Sequence, residues 1–358
     1  MKFFMPTQVF SETDCIAKHA EKLASLGSHA LIVTGNRSSK LNGSLDDVIS
    51  ALSEYSVSYT VFDKVEENPS VETVMSARDM GLECGVDFVI GIGGGSPLDA
   101  AKAVALMIKN NEKSWEFLYE ASDSSALPLA AVPTTCGTGS EVTGVAVLTR
   151  HDLKTKVSAK HKIFPDIAFI DGKYLLSAPK KIIVNTAIDA LSHLIESAVN
   201  TLADTYSDMS VFAGFKEWAE CRRYIEGEAE LTTAAAMRLM NASALAEMSI
   251  AQTGTTIPHS LSYMLTYGAG IPHGAAVGAF QGKYLKYADA ARRKAVLDAI
   301  GFGDTDELGA YISELAPVTA ERELLERSAE SVMKNTAKLA LCPYKIDEKI
   351  MEDMIDLS

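Results

Sequence analysis

The chain has 358 residues, 47% of them hydrophobic and 22% charged, with a formal net charge of −14. That length exceeds what one hydrophobic core organises, so two domains are expected, and the composition excludes a disordered, core-poor polypeptide. The acidic balance argues against non-specific binding to nucleic acid or to an anionic membrane surface, and no apolar run approaches a membrane span.

At the start, Phe3-Phe4-Met5-Pro6 is too short for the apolar core of a signal peptide, so residence in the cytoplasm is expected. To about residue 171, short β-rich runs alternate with amphipathic stretches. In chain order these are a helix over 14–26, a strand over 29–34, a helix over 45–55, a strand over 57–62, a helix over 71–81, a strand over 86–92, a helix over 97–109 and a strand over 127–132. Such alternation predicts a parallel, Rossmann-like sheet with helices on its faces. The polar stretch 149–161 reads as an edge hairpin, followed by a strand over 167–170. After Pro179-Lys180-Lys181 the texture changes: Ala, Leu, Met and Glu dominate, and apolar residues recur at helical spacing. The expectation is an α/β domain over 1–175 and an all-α domain over 176–358. Five scattered cysteines, Cys15, Cys84, Cys136, Cys221 and Cys342, never spaced as C-x-x-C, suggest neither a disulfide framework nor a structural zinc cluster.

Three loops of the first half have the composition of a dinucleotide site. The strand over 86–92 runs into Gly93-Gly94-Gly95-Ser96-Pro97-Leu98-Asp99, where consecutive glycines let backbone amides approach a pyrophosphate without a Cβ in the way. Ser96 is suited to cap the helix, Pro97 to its first position and Asp99 to a capping box, with the helix N-terminus directed at the anion. Ser96 stands where G-x-G-x-x-G would place its last glycine, so this is a variant loop. A second loop places Thr134, Thr135, Thr138 and Ser140 among glycines, a density of hydroxyls and amides that suits phosphate, ribose or a carboxamide. The third, after the strand over 29–34, presents Gly35, Ser38, Ser39 and Lys40. A fold that selects NAD offers an acid to the ribose 2′-hydroxyl; that acid is missing here, so NADP(H) is expected over NAD(H).

The second half supplies a metal-ligand set. Asp189 and His193 are four residues apart on a helical segment and project from one face, while His259 and His273 follow in Pro258-His259 and Pro272-His273-Gly274. Three neutral imidazoles and one carboxylate suit Fe(II) or Zn(II) and leave a position open for substrate oxygen, the mark of a catalytic centre. A helical Asp/His pair by itself is a salt bridge; the four residues beside the three loops read as chemistry. Two other classes use the same parts, a metal-dependent phosphate-ester hydrolase and a nucleotide-sensing protein without turnover.

These motifs, in this order along most of the chain, resemble the iron-containing (group III) alcohol dehydrogenase family. The loop from Ser38 to Ser44 looks most like its NADP-dependent 1,3-propanediol and butanol dehydrogenase-like members. The resemblance implies a dinucleotide-binding domain over 1–175, a metal-binding domain over 176–358 and a homodimer, with Asp189, His193, His259 and His273 holding Fe(II), or Zn(II) or another divalent ion in its place. It implies hydride transfer between NADP(H) and an aldehyde/primary alcohol pair. Same-fold zinc polyol dehydrogenases and dehydroquinate-synthase-like lyases are the nearest rivals. Two positions depart from the family pattern. Tyr263 stands where some members carry a further histidine proposed to help in proton movement, so that step falls to Tyr263, the cofactor ribose or water. Cys136 stands where Ala is frequent, and reads as a small buried filler.

Overall fold

The computed structural model describes residues 3–122 and 124–357. The chain forms two compact units, one built from Met5–Ala178 with Leu231–Met240, the other from Met1–Phe4, Pro179–Glu230 and Asn241–Ser358. Among the described residues, no helix is long and apolar enough to cross a membrane.

The first unit is an α/β sandwich around a six-stranded sheet. Its strands are β1 (Gln8–Ser11), β2 (His29–Gly35), β3 (Ser58–Val65), β4 (Phe88–Gly93), β5 (Leu129–Pro133) and β8 (Ile167–Ile170), in the spatial order β1-β8-β5-β4-β2-β3. Every neighbouring pair is parallel, with Ile32 opposite Ile90, Ile90 opposite Ala130 and Ala130 opposite Ile167. The apolar runs of β4 and β5 are buried along their whole length, as a parallel sheet covered on both faces requires. Alternate residues serve opposite faces. Leu31, Val33, Val89 and Leu129 pack with helices α4 (Val71–Cys84) and α5 (Gly95–Lys109). Ala30, Ile32, Phe88, Ile90 and Val132 pack with α1 (Cys15–Lys18), α2 (Ala20–Ala24) and α3 (Ser44–Glu54). Each fully buried Leu, Ile or Val in these layers contributes about 1.5–3 kcal/mol.

Two details differ from the sequence reading. The helix expected over 14–26 is broken at His19, whose φ of −123° is not helical. The break places the His19 ring 3.9 Å from that of Phe10, stacked, and its Nε2 2.8 Å from Glu12 Oε1, contacts that offset the lost turn. The residues over 149–161 do form a hairpin, β6 (Val147–Arg150) with β7 (Thr155–Ser158), as an antiparallel sheet of its own.

Strand order decides where a ligand site falls. From β2 the chain places β3 on one side and β4 on the other, so the loops leaving the carboxyl ends of β2 and β4 diverge at a topological switch point, where open α/β sheets bind ligands. Thr34 ties the two ends together by donating its hydroxyl hydrogen to the Ile92 carbonyl at 2.8 Å.

The second unit has helices and no strand among its described residues. Its axis is α6 (Lys180–Ala198), buried on nearly every face from Ile183 onward. The indole of Trp218, in α7 (Thr205–Ala219), donates to the Ala187 carbonyl of α6 at 2.8 Å. Helix α8 (Thr233–Thr253) gives residues to both units. It is followed by α9 (Ile257–Ala269), α10 (His273–Gly278) and α11 (Gln281–Lys286). Gly270, at a φ of 65°, ends α9 in a left-handed cap, and Pro272 starts α10 one residue before His273. Helix α10 lies against α6 through glycines: a Cβ on Gly274 would stand 1.8 Å from the Asn185 carbonyl oxygen, and one on Gly278 2.4 Å from Ile188 Cγ2. That backbone approach sets the start of α10, and with it His273, beside the turn of α6 that carries Asp189.

Candidate active site

In the helical unit, Asp189 and His193 project from one face of α6, His259 lies in the first turn of α9, and His273 is the first residue of α10. Asp189 Oδ1 lies 3.7 Å from His259 Nε2 and 3.8 Å from His273 Nε2. The rings of His193 and His259 stack with centroids 4.3 Å apart, and those of His259 and His273 meet edge-on at 5.5 Å. Asp189, His193 and His259, all buried, each offer a ligand atom within 4.8 Å of the others. His273 completes the group from a more open position, its side chain 31% exposed. Asp189 Oδ1 and His259 Nε2 are buried without a hydrogen-bond partner.

Two further carboxylates stand behind the imidazoles. Glu196 Oε1 is 2.5 Å from His259 Nδ1, and Glu247 Oε1 is 3.1 Å from His193 Nδ1, although the latter contact lacks hydrogen-bond geometry. The charges set the titration of the cluster. Burial pushes the His193 imidazole down to about 4, with the neighbouring His259 adding to it. Burial also opposes a charged His259, but Glu196 and Asp189 outweigh it and hold that ring up at about 9. Against the cost of their own burial, Asp189 is held well below the usual carboxylate range by the three histidines, and Glu196 at about 2 by His259 and Thr256. The half-buried Tyr263 ring lies parallel to His273, centroids 6.2 Å apart; burial pushes its hydroxyl up to about 12, so it carries its proton at neutral pH.

In the sheet unit the three loops converge at the carboxyl ends of β2, β4 and β5. Helix α5 begins at Gly95, one residue before the expected cap, with Gly94 as the extended cap residue and no side chain on the free amides. Ser96 is therefore not the cap; its hydroxyl accepts from the Asn68 amide at 3.0 Å. The glycines serve packing. Gly93 has a φ of 147°, and a Cβ on Gly95 would meet Thr138 Cγ2 at 2.7 Å, so the threonine loop sits directly on the glycine turn. Thr135 takes the same position against Gly94, and the Thr134 amide donates to the Gly93 carbonyl at 2.9 Å.

Asp99 forms no capping box. Its Oδ1 accepts from Ser140 Oγ at 2.5 Å and its Oδ2 from the Val147 amide at 2.8 Å. Beside it the fully buried Lys102 donates to Ser140 Oγ at 2.6 Å and to the Val145 carbonyl at 2.8 Å. One turn of α5 thus clamps the segment that follows the threonine loop. In the loop after β2, Gly35 ends the strand and Ser38 is exposed, whereas Ser39 is buried with its hydroxyl 2.9 Å from Thr34 Oγ1. Lys40 is exposed and its ammonium is 2.6 Å from Asp63 Oδ2. Cys136 is buried.

The family model for iron-containing alcohol dehydrogenase matches residues 6–172, and the model for the C-terminal part of the Fe-containing alcohol dehydrogenase family matches residues 183–345. The chain belongs to this family. A crystal structure of an iron-containing alcohol dehydrogenase from Thermotoga maritima superposes with a TM-score of 0.89 at 36% identity, covering 99% of this chain and 98% of that one. An NADPH-dependent butanol dehydrogenase of Clostridium saccharobutylicum is 31% identical over 77% of this chain and 71% of its own. An NADH-dependent butanol dehydrogenase A of Clostridium acetobutylicum is 29% identical over 75% and 72%. This iron-containing alcohol dehydrogenase is accordingly an oxidoreductase of the alcohol/aldehyde pair, and the hydrolase and nucleotide-sensor readings give way.

Sequence reasoning missed Glu196, Glu247 and Lys102. For Glu196 the signal was present, since Asp189, His193 and Glu196 follow i, i+4, i+7 spacing on one helical face. For Lys102 the signal was an Asp99/Lys102 pair at i, i+3 inside an otherwise apolar helix. Nothing local marks Glu247.

Proposed function

We propose that this chain is an iron-dependent, NADP(H)-preferring aldehyde reductase and primary-alcohol dehydrogenase, with Asp189, His193, His259 and His273 as the metal ligands. The observation that carries the reading is the pair of buried, unpartnered atoms, Asp189 Oδ1 and His259 Nε2, 3.7 Å apart beside the stacked His193 ring. Orphaned polar atoms are costly in a protein interior, and a divalent cation satisfies both; the donor set of imidazoles and one carboxylate fits Fe(II) or Zn(II).

When bound, the cation supplies Lewis-acid polarisation of a substrate carbonyl, and the nicotinamide supplies the hydride. The chain's own residues prepare these events. The uncapped amides at the start of α5 would hold the pyrophosphate, with the Thr134, Thr135 and Thr138 loop packed against that turn. Tyr263, beside His273, keeps its hydroxyl proton at neutral pH and would donate it toward the alcohol oxygen as negative charge develops there. Partly exposed His273 leaves the group open on one side, while burial of the other ligands excludes water. The preference for NADP(H) is supported by the absence of an acid from Gly35 to Lys40 and by the exposed Ser38 and Lys40, although a 2′-phosphate would compete with Asp63 for the Lys40 ammonium.

The test is an aldehyde panel assayed with NADPH and NADH on anaerobically iron-reconstituted protein, alongside Asp189→Ala and His193→Ala. Both variants are expected to lose bound iron and at least about 10³ in kcat, the scale of several kcal/mol of Lewis-acid stabilisation. Full metal content with full rate in His193→Ala sinks the ligand assignment; a clear advantage of NADH in kcat/KM sinks the cofactor preference alone.

A further inference from the structure

Glu196 is outside the ligand set, yet both of its carboxylate oxygens are engaged. Its side chain is completely buried one turn after His193 on α6. Oε2 accepts from the Thr256 amide at 2.6 Å and from the Thr256 hydroxyl at 2.8 Å. Oε1 accepts from Gln281 Nε2 at 3.0 Å and faces His259 Nδ1 at 2.5 Å. One carboxylate therefore joins α6, the cap residue of α9 and the first residue of α11.

An ionised carboxylate only accepts hydrogen bonds, so the ring nitrogen that faces it must carry the hydrogen. With Nδ1–H donated to Glu196, the Nε2 of His259 is the nitrogen left for a cation, and Nε2 is the atom that is buried without a partner 3.7 Å from Asp189 Oδ1. The geometry points to Glu196 as the positioning residue that fixes the tautomer and ring plane of His259 and, through its negative charge, strengthens that imidazole as a donor to the divalent cation. This rests on the ligand reading given above. A packing role would not need the charge. Glutamine has the same shape, but its amide hydrogens would face donors whichever way it turned: Thr256 on one side, His259 and Gln281 on the other. Carboxylates behind metal-bound histidines act in this way, and their loss costs about 10–100-fold in metal affinity.

The experiment measures Co(II) affinity of the full chain by chelator competition, read from the visible absorption of the bound ion, for the wild type, Glu196→Gln, Glu196→Asp and Asp189→Ala. Thermal melts of each metal-free protein report folding. Glu196→Gln is expected to bind about 10–100-fold more weakly, Glu196→Asp, which keeps the charge, to recover part of that loss, and Asp189→Ala to lose the ion. Wild-type affinity in Glu196→Gln with the ion lost in Asp189→Ala overturns the role of Glu196 and leaves the ligand set standing. Wild-type affinity in Asp189→Ala overturns the ligand set, and the proposal with it. Should Glu196→Gln not fold, the wild type decides. With ¹⁵N-labelled histidine and bound zinc, His259 is expected to show a protonated Nδ1 protected from solvent exchange, and protonation on Nε2 overturns the proposal.

Discussion

Glu141, at the end of the threonine loop, is buried, and burial pushes its carboxyl from 4.5 up to about 7, with only its own amide and the charge of Lys102 acting the other way. An acid whose folded value is raised is favoured neutral in the native state. Its contribution to stability is therefore intact below about 4.5 and is lost as pH rises toward about 7, where the buried group must ionise. Glu141→Gln imitates the neutral acid at every pH. The stability gap between variant and wild type is expected to open by about 3 kcal/mol between pH 4.5 and pH 8, the variant being the more stable at the alkaline end. Unfolding curves at the two pH values measure it, and an unchanged gap refutes the ionisation. At this same scale the limits of sequence reading are plain. Ser39 and Lys40 are adjacent hydroxylated and basic residues in one loop, yet Ser39 turns inward to Thr34 and Lys40 outward to Asp63. Asp99 sits at a capping-box position, yet partners 41 and 48 residues away claim both oxygens. Composition gave the loop its chemistry; which side chain faces a ligand was decided by residues distant in the chain.

Among elements, the packing of α10 on α6 is the contact on which His273 depends. Gly274→Ala would drive a Cβ to within 1.8 Å of the Asn185 carbonyl, a backbone atom that cannot swing aside, so α10 must move. The variant is expected to lose metal content and at least about 2 kcal/mol of stability, the scale of overpacking in a rigid interior. Gly309→Ala, in α12 (Thr305–Leu315), is the control: a Cβ there meets nothing within 4 Å, and alanine is expected to stabilise the helix by up to about 1 kcal/mol. Equal metal content and melting temperature in Gly274→Ala and wild type would show that α10 has room. Elements were the most legible level of the sequence, because apolar β-branched runs identify buried strands without reference to the rest of the chain. The exceptions are instructive. The break at His19 and the start of α5 at Gly95 depend on Phe10, Glu12 and the threonine loop, which periodicity within one segment does not contain.

For the whole molecule, a cation that binds only the folded chain adds to its stability in proportion to the logarithm of its concentration over Kd, about 4 kcal/mol at a thousandfold excess. Chelation of the loaded protein is accordingly expected to lower its melting temperature and readdition of Fe(II) or Zn(II) to restore it, whereas a melting temperature indifferent to chelator and metal would count against a resident ion. The α/β-then-helical order was readable from the change of texture after Pro179, and the gathering of Asp189, His193, His259 and His273 from four residues with few competitors of their kind. The carboxylates behind the imidazoles were less visible because acids are common on helices and only packing distinguishes a buried one. The anchoring of Trp218 to the Ala187 carbonyl has a practical consequence. The chain has two tryptophans, and the other, Trp115, belongs to the sheet unit, stacked on the Arg150 guanidinium. Each body therefore carries its own intrinsic fluorophore, and the emission of Trp218 reads out, without any label, the helical turn from which Asp189 projects.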